Sequence, residues 1–448
     1  MTSTATHHPA SGGLADDIEK LRRRAVVAST VGTVIEWYDF GLYGLCAGLV
    51  FSQIFFPKSD PTVGVLSAFA VFAVGYIARP LGALMFGHFG DRIGRKSALV
   101  ATVLLMGAGT FLVGFVPSYA SIGIWGAVAL CVLRMLQGIG VGGEWSGSIL
   151  VAMEWAKGEK RSVFASWPQI GVPAGTLAAN LAIMAASYFT GNSFMTWGWR
   201  LPFVASFLLV IVGLWIRLGL EETPVFREIR DQQRMARKPL LEALRTMWRQ
   251  IVAVMFLRVS ELASFIIYSV YVFTFAVHYW GFSRNFILAA VLAGLCAECV
   301  TVPIAGALAD RLGRKRVFMA GVVLTGIMSF IYFAGFATGS PVVITLVIVL
   351  AFLPHGIQYG AEGALIAEAF PARLRYSGSS IGYQFASVIG GGIAPFIATA
   401  LFARDPHGFL IAAYLAVTAV ISLVAASFVK ERYYIEPNAA LAVAPIPE

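Results

Sequence analysis

Two carboxylates three residues apart, inside an apolar run, are the first groups in this chain that could do chemistry. Gly32–Gly44 reads Gly-Thr-Val-Ile-Glu-Trp-Tyr-Asp-Phe-Gly-Leu-Tyr-Gly. Spacings of three and then four residues put Glu36, Asp39 and Tyr43 on one helical face. An ionised carboxylate deep in a bilayer costs at least about 2.5 kcal/mol, so each acid needs a proton, a cation or water. Proton or ion handling is the chemistry such a stripe can do; an acid pair held by a structural arginine is the alternative. Arg134, in a later apolar run, is the strongest candidate cation, because a buried guanidinium stays charged and requires an anion. Gln137 and Glu144 fall on roughly its helical stripe. Asp39 is its expected partner, which leaves Glu36 and Glu144 as competing proton sites, one of them able to pair with Arg79. Arg258 and Glu261, at i and i+3, can satisfy each other as a structural or a functional pair. His355 is a lone membrane histidine, and Glu298 is a further buried acid with no assigned partner. Gln169 and Gln384 can donate and accept toward hydroxyls or a carboxylate. Trp167 and Tyr383 flank them and could cover a small ring.

The elements that must position these residues are apolar segments. The 448 residues are 58% hydrophobic and 13% charged, about half the usual charged share of soluble domains. Mean hydropathy is +0.77. Twelve segments read as membrane helices, at about 26–51, 62–86, 97–116, 121–152, 162–189 and 200–220, then 250–280, 285–307, 317–337, 341–366, 376–402 and 407–429. Continuous runs rather than alternation exclude a β-barrel. The expected fold is all-α, twelve transmembrane helices in two six-helix bundles, 26–220 and 250–430. A cytoplasmic linker, 221–249, joins them, and cytosolic tails occupy 1–25 and 431–448. The N-terminal tail reads as a disordered lead, and the linker could carry short amphipathic pieces near Val225–Arg237 and Leu240–Trp248.

With both termini inside, most of the 33 basic residues fall in cytoplasmic loops and tails. Lys58, Arg200, Arg284 and Arg404 fall outside, and Arg79, Arg134 and Arg258 within spans. This asymmetry sets orientation and accounts for the net charge of +9 without a nucleic-acid partner. Cys46, Cys131, Cys296 and Cys299 read as packing residues. No metal or cofactor is called for, and no nucleophile–base set or Walker-type phosphate loop points to an enzyme or a primary pump.

A repeat divides the chain. Gly87-His-Phe-Gly-Asp91-Arg-Ile-Gly-Arg95-Lys96 recurs as Gly306-Ala-Leu-Ala-Asp310-Arg-Leu-Gly-Arg314-Lys315, each time between the second and third segments of a half. Glu154 is echoed by Glu368, and Gln169 by Gln384. Two parallel repeats predict a pseudo-two-fold axis along the membrane normal with a site between the halves near the midplane. Asp91 and Asp310 can meet a neighbouring helix N-terminus. Arg92, Arg95, Arg311 and Arg314 can pair with Glu154 and Glu368.

The repeated Gly-x-x-x-Asp-Arg-x-Gly-Arg-Lys resembles the signature of major facilitator superfamily transporters, over about residues 20–432. Glu36-Trp-Tyr-Asp39-Phe and Arg134-Met-Leu-Gln-Gly-Ile-Gly-Val-Gly-Gly-Glu-Trp145 narrow the likeness to its metabolite:proton symporter family. Segment ten, with Pro354, Gln358, Tyr359 and Glu362, departs from the pattern. The resemblance implies a monomeric bacterial inner-membrane symporter importing a small organic acid with protons. A cyclic hydroxycarboxylate such as shikimate is expected first. 2-Oxoglutarate or citrate comes second, together with a zwitterionic osmolyte, and uniport or exchange comes last. It further implies that Asp39 and Arg134 hold each other until protonation of Asp39 frees Arg134 for the substrate carboxylate. His355 becomes a substrate contact or a proton-coupled gate, and the signature loops become a latch, with a purely folding role as the alternative.

Overall fold

Among the described residues, 11 helices are long and apolar enough to cross a membrane, and a further one, rich in polar and aromatic residues, precedes them. The computed structural model describes residues 11–59, 61–156, 160–219, 223 and 239–429. The helices are α1 (Ser11–Cys46), α2 (Pro61–Arg92), α3 (Arg95–Val113), α4 (Trp125–Glu154), α5 (Arg161–Thr190) and α6 (Leu201–Leu218). After Pro239–Thr246 come α7 (Trp248–Val277), α8 (Arg284–Leu312), α9 (Arg314–Ala337), α10 (Pro341–Glu368), α11 (Ala372–Phe402) and α12 (Phe409–Phe428). The C-terminal tail and most of the expected linker, including Val225–Arg237, lie outside the described residues. The disordered lead needs correction for its second part. Helix α1 starts at Ser11, and Arg22 docks it by donating to the Trp155 carbonyl at 2.8 Å.

Burial is inverted relative to a water-soluble protein. Glu36, Asp39, Arg79, Arg134, Glu144, Arg217, Arg258, Glu261, Glu298, His355 and Glu362 are buried. Large apolar side chains such as Trp215, Ile327, Val342 and Val424 are exposed. Polar groups turn inward because lipid offers them no hydrogen bonds, while the outward apolar belt matches hydrocarbon.

The two halves pack with matching topology. In the first, α1 lies on α5, and α4 on α2 and α3; in the second, α10 lies on α8 and α9, and α7 on α11. Across the interface α5 packs on α8, and α11 on α2, the exchange expected of parallel repeats. Helix α7 contains a π-helical turn, Ile267–Tyr271, and ends in another, Thr274–Tyr279, that runs past it; α11 contains a third, Val388–Gly392, a feature frequent at functional sites.

Glycine sets the distance between α2 and α4. A Cβ added to Gly138 would lie 2.1 Å from the Gly75 carbonyl oxygen, and one added to Gly142 would lie 2.2 Å from that of Arg79. The run of small residues after Arg134 therefore brings two backbones into contact, as small residues do between membrane helices. Overpacking this contact should cost about 3 kcal/mol or more. Gly142→Val is expected to lose its monodisperse peak in size-exclusion chromatography; a normal profile would refute the close-packing argument.

Candidate functional site

The N-terminal half joins Asp39 of α1 to Arg134 and Gln137 of α4. Arg134 Nη1 is 3.8 Å from Asp39 Oδ2. Gln137 bridges the pair: its Nε2 donates to Asp39 Oδ1 at 2.8 Å and its Oε1 accepts from Arg134 Nη1 at 3.4 Å. The guanidinium lies over Phe40 and Tyr43, 3.7 and 4.4 Å from their ring centres, and its Nε and Nη2 have no hydrogen-bond partner. This is a loose pair, far from the bidentate fork of a strong arginine–carboxylate contact. A second anion can reach the same guanidinium.

Arg79, at the α1–α2 contact, is also fully buried, and among the described residues none of its three nitrogens has a hydrogen-bond partner. Aromatic faces hold it, with Phe40 at 3.9 Å and Tyr76 at 4.3 Å. Glu36 is buried nearby and leaves Oε2 without a hydrogen bond.

Of the two acids expected to compete for the proton, Glu36 is the one near Arg79, and Glu144 has a different partner. Its carboxylate is in direct contact with Arg217 of α6 and accepts from Thr102 and Ser148 at 2.8 and 2.9 Å. Arg217 escaped the sequence reading because it lies three residues from the end of the 200–220 segment and looks like a flanking basic residue. Its burial at 1% exposure follows from the side chain turning inward between α3 and α4.

In the C-terminal half one network ties four helices. Arg258 Nε is 3.1 Å from Glu261 Oε2 and 3.3 Å from Glu362 Oε1, and Arg258 Nη1 donates to Ser387 Oγ at 2.7 Å. His355 Nδ1 is 2.6 Å from Glu298 Oε1, and its Nε2 is 3.4 Å from Glu261 Oε1. His355 therefore lies inside the second half, between two acids. Glu298 gains the partner the sequence left unassigned, and Glu362 is a site residue the sequence reading missed. Its signal was a third acid in an apolar run.

Gln169 and Gln384 meet the opposite half. Gln169 Nε2 donates to the Tyr359 carbonyl at 3.0 Å, and Gln384 Nε2 to the Val141 carbonyl at 3.3 Å. Trp167 is a correction. It is 45% exposed, because two residues from Gln169 is the opposite side of a helix. The indole beside Gln169 is instead that of Trp145, whose Nε1 donates to Gln169 Oε1 at 2.8 Å. Trp145 stacks on Tyr383 at 3.6 Å between ring centres, and Arg258 lies 3.4 Å over the Tyr383 ring.

The signature repeats close one end of the molecule. Gly94 and Gly313 take φ of 123° and 97°, which only glycine adopts readily. Lys96 and Lys315 donate to Leu218 and Ser427 carbonyls at 2.8 and 2.9 Å, so each signature lysine caps the last helix of its own half. Asp310 crosses the interface, accepting from the backbone N–H of Ser162 and Val163 at 2.9 and 3.0 Å at the start of α5. Glu368 contacts Arg314 directly and lies 3.7 Å from Arg161 of the other half. Glu154 accepts from Thr223 at 2.7 Å, while Arg92 and Arg311 are exposed. The side chains of Asp91 and Arg95 lie outside the described residues.

Each charged hydrogen bond of Asp310 is worth about 1.5–3 kcal/mol. Asp310→Asn is therefore expected to open this end, raising the labelling rate of a Ser379→Cys reporter by about tenfold or more. The four native cysteines would first be replaced by serine. An unchanged rate would leave Asp310 a folding role alone.

Residues 24–247 match the profile of the "Sugar (and other) transporter" family and residues 276–444 that of the "Major Facilitator Superfamily". The chain is 39% identical to the inner membrane metabolite transport protein YhjE of Escherichia coli K12, over 90% of this chain and 93% of the relative. It is also 39% identical to the shikimate transporter of the same organism, over 91% and 94%. A solved structure of the proton:xylose symporter XylE superposes with a TM-score of 0.71 at 17% identity, covering 93% of this chain and 96% of that one.

Proposed function

The chain belongs to the major facilitator superfamily of membrane transporters, and from that premise we propose that it imports a small organic acid together with protons by alternating access. The membrane is the bacterial inner membrane, with both termini and the signature end on the cytoplasmic side. The preferred cargo is a cyclic hydroxycarboxylate such as shikimate, in line with the relative of that name.

The observation that carries this reading is the loose, buried Asp39–Arg134 pair. With Asp39 ionised, the two charges compensate each other. A proton arriving at Asp39 from outside removes that compensation, and Arg134, with Nε and Nη2 unpartnered, takes the substrate carboxylate. The loaded site is again neutral and can cross. Proton loss to the inside restores the pair and expels the acid. Gln169 and Gln384 bond across the interface in the present conformation and are released to meet hydroxyls as the halves separate. The Asp310 and Glu368 contacts are the barrier that must part for release.

A dicarboxylate such as 2-oxoglutarate is the second reading, favoured by Arg79, a second buried guanidinium without a hydrogen-bond partner. Purified protein in liposomes with an imposed inward proton gradient decides between them. Accumulation of shikimate above equilibrium supports the first reading, and accumulation of 2-oxoglutarate alone the second. Uptake that only equilibrates removes the proton from the mechanism, and uptake of betaine alone removes the organic acid.

A further inference from the structure

Among the described residues, and setting aside Glu154, Glu368 and Arg375 at the signature end, the charges buried within the membrane span are balanced in one half of the molecule and unbalanced in the other. Glu36, Asp39 and Glu144 are matched in the first half by Arg79, Arg134 and Arg217. In the second half Glu261, Glu298 and Glu362 share Arg258 and His355. Even a fully protonated imidazole leaves three carboxylates facing two cations. An uncompensated ion in a protein interior costs several kcal/mol, and acids that share one site give up a charge by keeping a proton.

The geometry selects which acid keeps it. Glu298 has His355 Nδ1 at 2.6 Å, and Glu261 has both Arg258 Nε at 3.1 Å and His355 Nε2 at 3.4 Å. Glu362 has only Arg258 Nε, at 3.3 Å, an atom Glu261 already approaches more closely. Among the described residues neither Glu362 nor Glu261 receives an aligned hydrogen bond on either oxygen, so the distances to the two cations decide between them. The other titratable groups facing the network are the phenols of Tyr359 and Tyr383, 3.4 Å apart, and the Cys299 thiol beside Glu298. Across the interface Glu36, Tyr76 and Arg79 lie within electrostatic reach of Arg258; Glu36 and Arg79 bring opposite charges and leave the imbalance in place. Glu298 and His355 sit at the middle of their spans, Arg284–Leu312 and Pro341–Glu368, the depth at which an unpaired charge is most costly.

We propose that the C-terminal half is a proton-binding centre separate from Asp39, in which Glu362 holds a proton against Glu261 and His355 bridges Glu261 to Glu298. The proton comes from water and returns to water when Glu362 ionises; no other bond changes. Its service in transport rests on the symport reading above, whereas its presence does not. The proton is already bound in the conformation described here, in which Asp39 and Arg134 are paired.

Infrared difference spectroscopy on the purified full-length protein tests this without any substrate. The wild type, taken from neutral to alkaline pH, is expected to lose the carbonyl band of a neutral carboxylic acid, identified by its shift in deuterated water. Glu362→Gln should abolish that band, and Asp39→Asn should keep it. Glu298→Gln should abolish it as well, because two acids facing two cations have no excess charge to neutralise. No band in the folded wild type, a band surviving in Glu362→Gln, or its loss in Asp39→Asn would overturn the proposal. Shikimate uptake, measured in liposomes on the same preparation, reports separately on symport. A preparation that shows the band and accumulates neither shikimate nor 2-oxoglutarate supports the centre and retires the symport reading.

Discussion

Asp39→Asn is expected to abolish accumulation of shikimate against its gradient while leaving exchange of shikimate across the membrane intact. Asparagine has the shape of a protonated aspartate and cannot ionise. Oδ1 of Asp39 accepts from Gln137 at 2.8 Å, and an amide oxygen can keep that bond, while the 3.8 Å approach to Arg134 loses its charge. Arg134 is then left as a buried cation without its anion, a change that costs about 3–5 kcal/mol when one partner of a buried pair is removed. Part of that cost is recovered when a carboxylate binds, so substrate should bind the variant more than about tenfold tighter. Uptake driven by a proton gradient should fall to equilibration, and counterflow should persist. Full accumulation by the variant would eliminate Asp39 as the coupling group, and loss of counterflow would make it a structural residue. The infrared band assigned to Glu362 should survive this substitution, so the two proton positions are separable in one protein.

Arg134→Lys should weaken shikimate binding strongly while preserving the charge. The guanidinium is planar and lies over Phe40 and Tyr43, an arrangement suited to arginine and poorly matched by a compact, strongly hydrated ammonium. Lysine also forfeits the fork that grips a carboxylate at two oxygens. Losing one charged hydrogen bond costs about 1.5–3 kcal/mol, so the dissociation constant should rise about tenfold or more. Titration of tryptophan fluorescence with shikimate in detergent is the direct measurement. Near-normal affinity would move the carboxylate to another cation. Arg79 is the next to test, since its nitrogens have no hydrogen-bond partner.

The two halves differ in how they hold their buried charges. The first half holds the loose Asp39–Arg134 pair. The second holds a tighter network in which His355 spans two acids. Between them run the glutamine bonds, each donated to a backbone carbonyl of the opposite half. A carbonyl acceptor carries no net charge, so these bonds can break and re-form during rocking without stranding an ion. The Asp310 contact at the signature end differs, because a carboxylate there meets a helix N-terminus and strengthens the closed end electrostatically.

Membrane class, the twelve apolar segments, their division into six and six, and most of the buried acids and arginines, though not Arg217 or the role of Glu362, could be read from the amino-acid order. Hydrocarbon imposes length and apolarity on every span, and the cost of a buried charge makes each intramembrane acid conspicuous. Asp39 with Arg134, Arg258 with Glu261, and Asp310 with a helix N-terminus were accessible by the same logic. Partner choice across distant helices was not. Glu144 meets Arg217, Glu298 meets His355, and Trp145 rather than Trp167 lies beside Gln169. Spacing along one helix tells which side chains share a face, but not which neighbouring helix that face meets or how it is rotated. The glycine contacts between α2 and α4 and the exchange of α5 and α11 across the interface set those rotations. Only in the folded chain do three acids in the second half come to share two cations, because that imbalance is a property of which charges are buried together rather than of their number in the sequence.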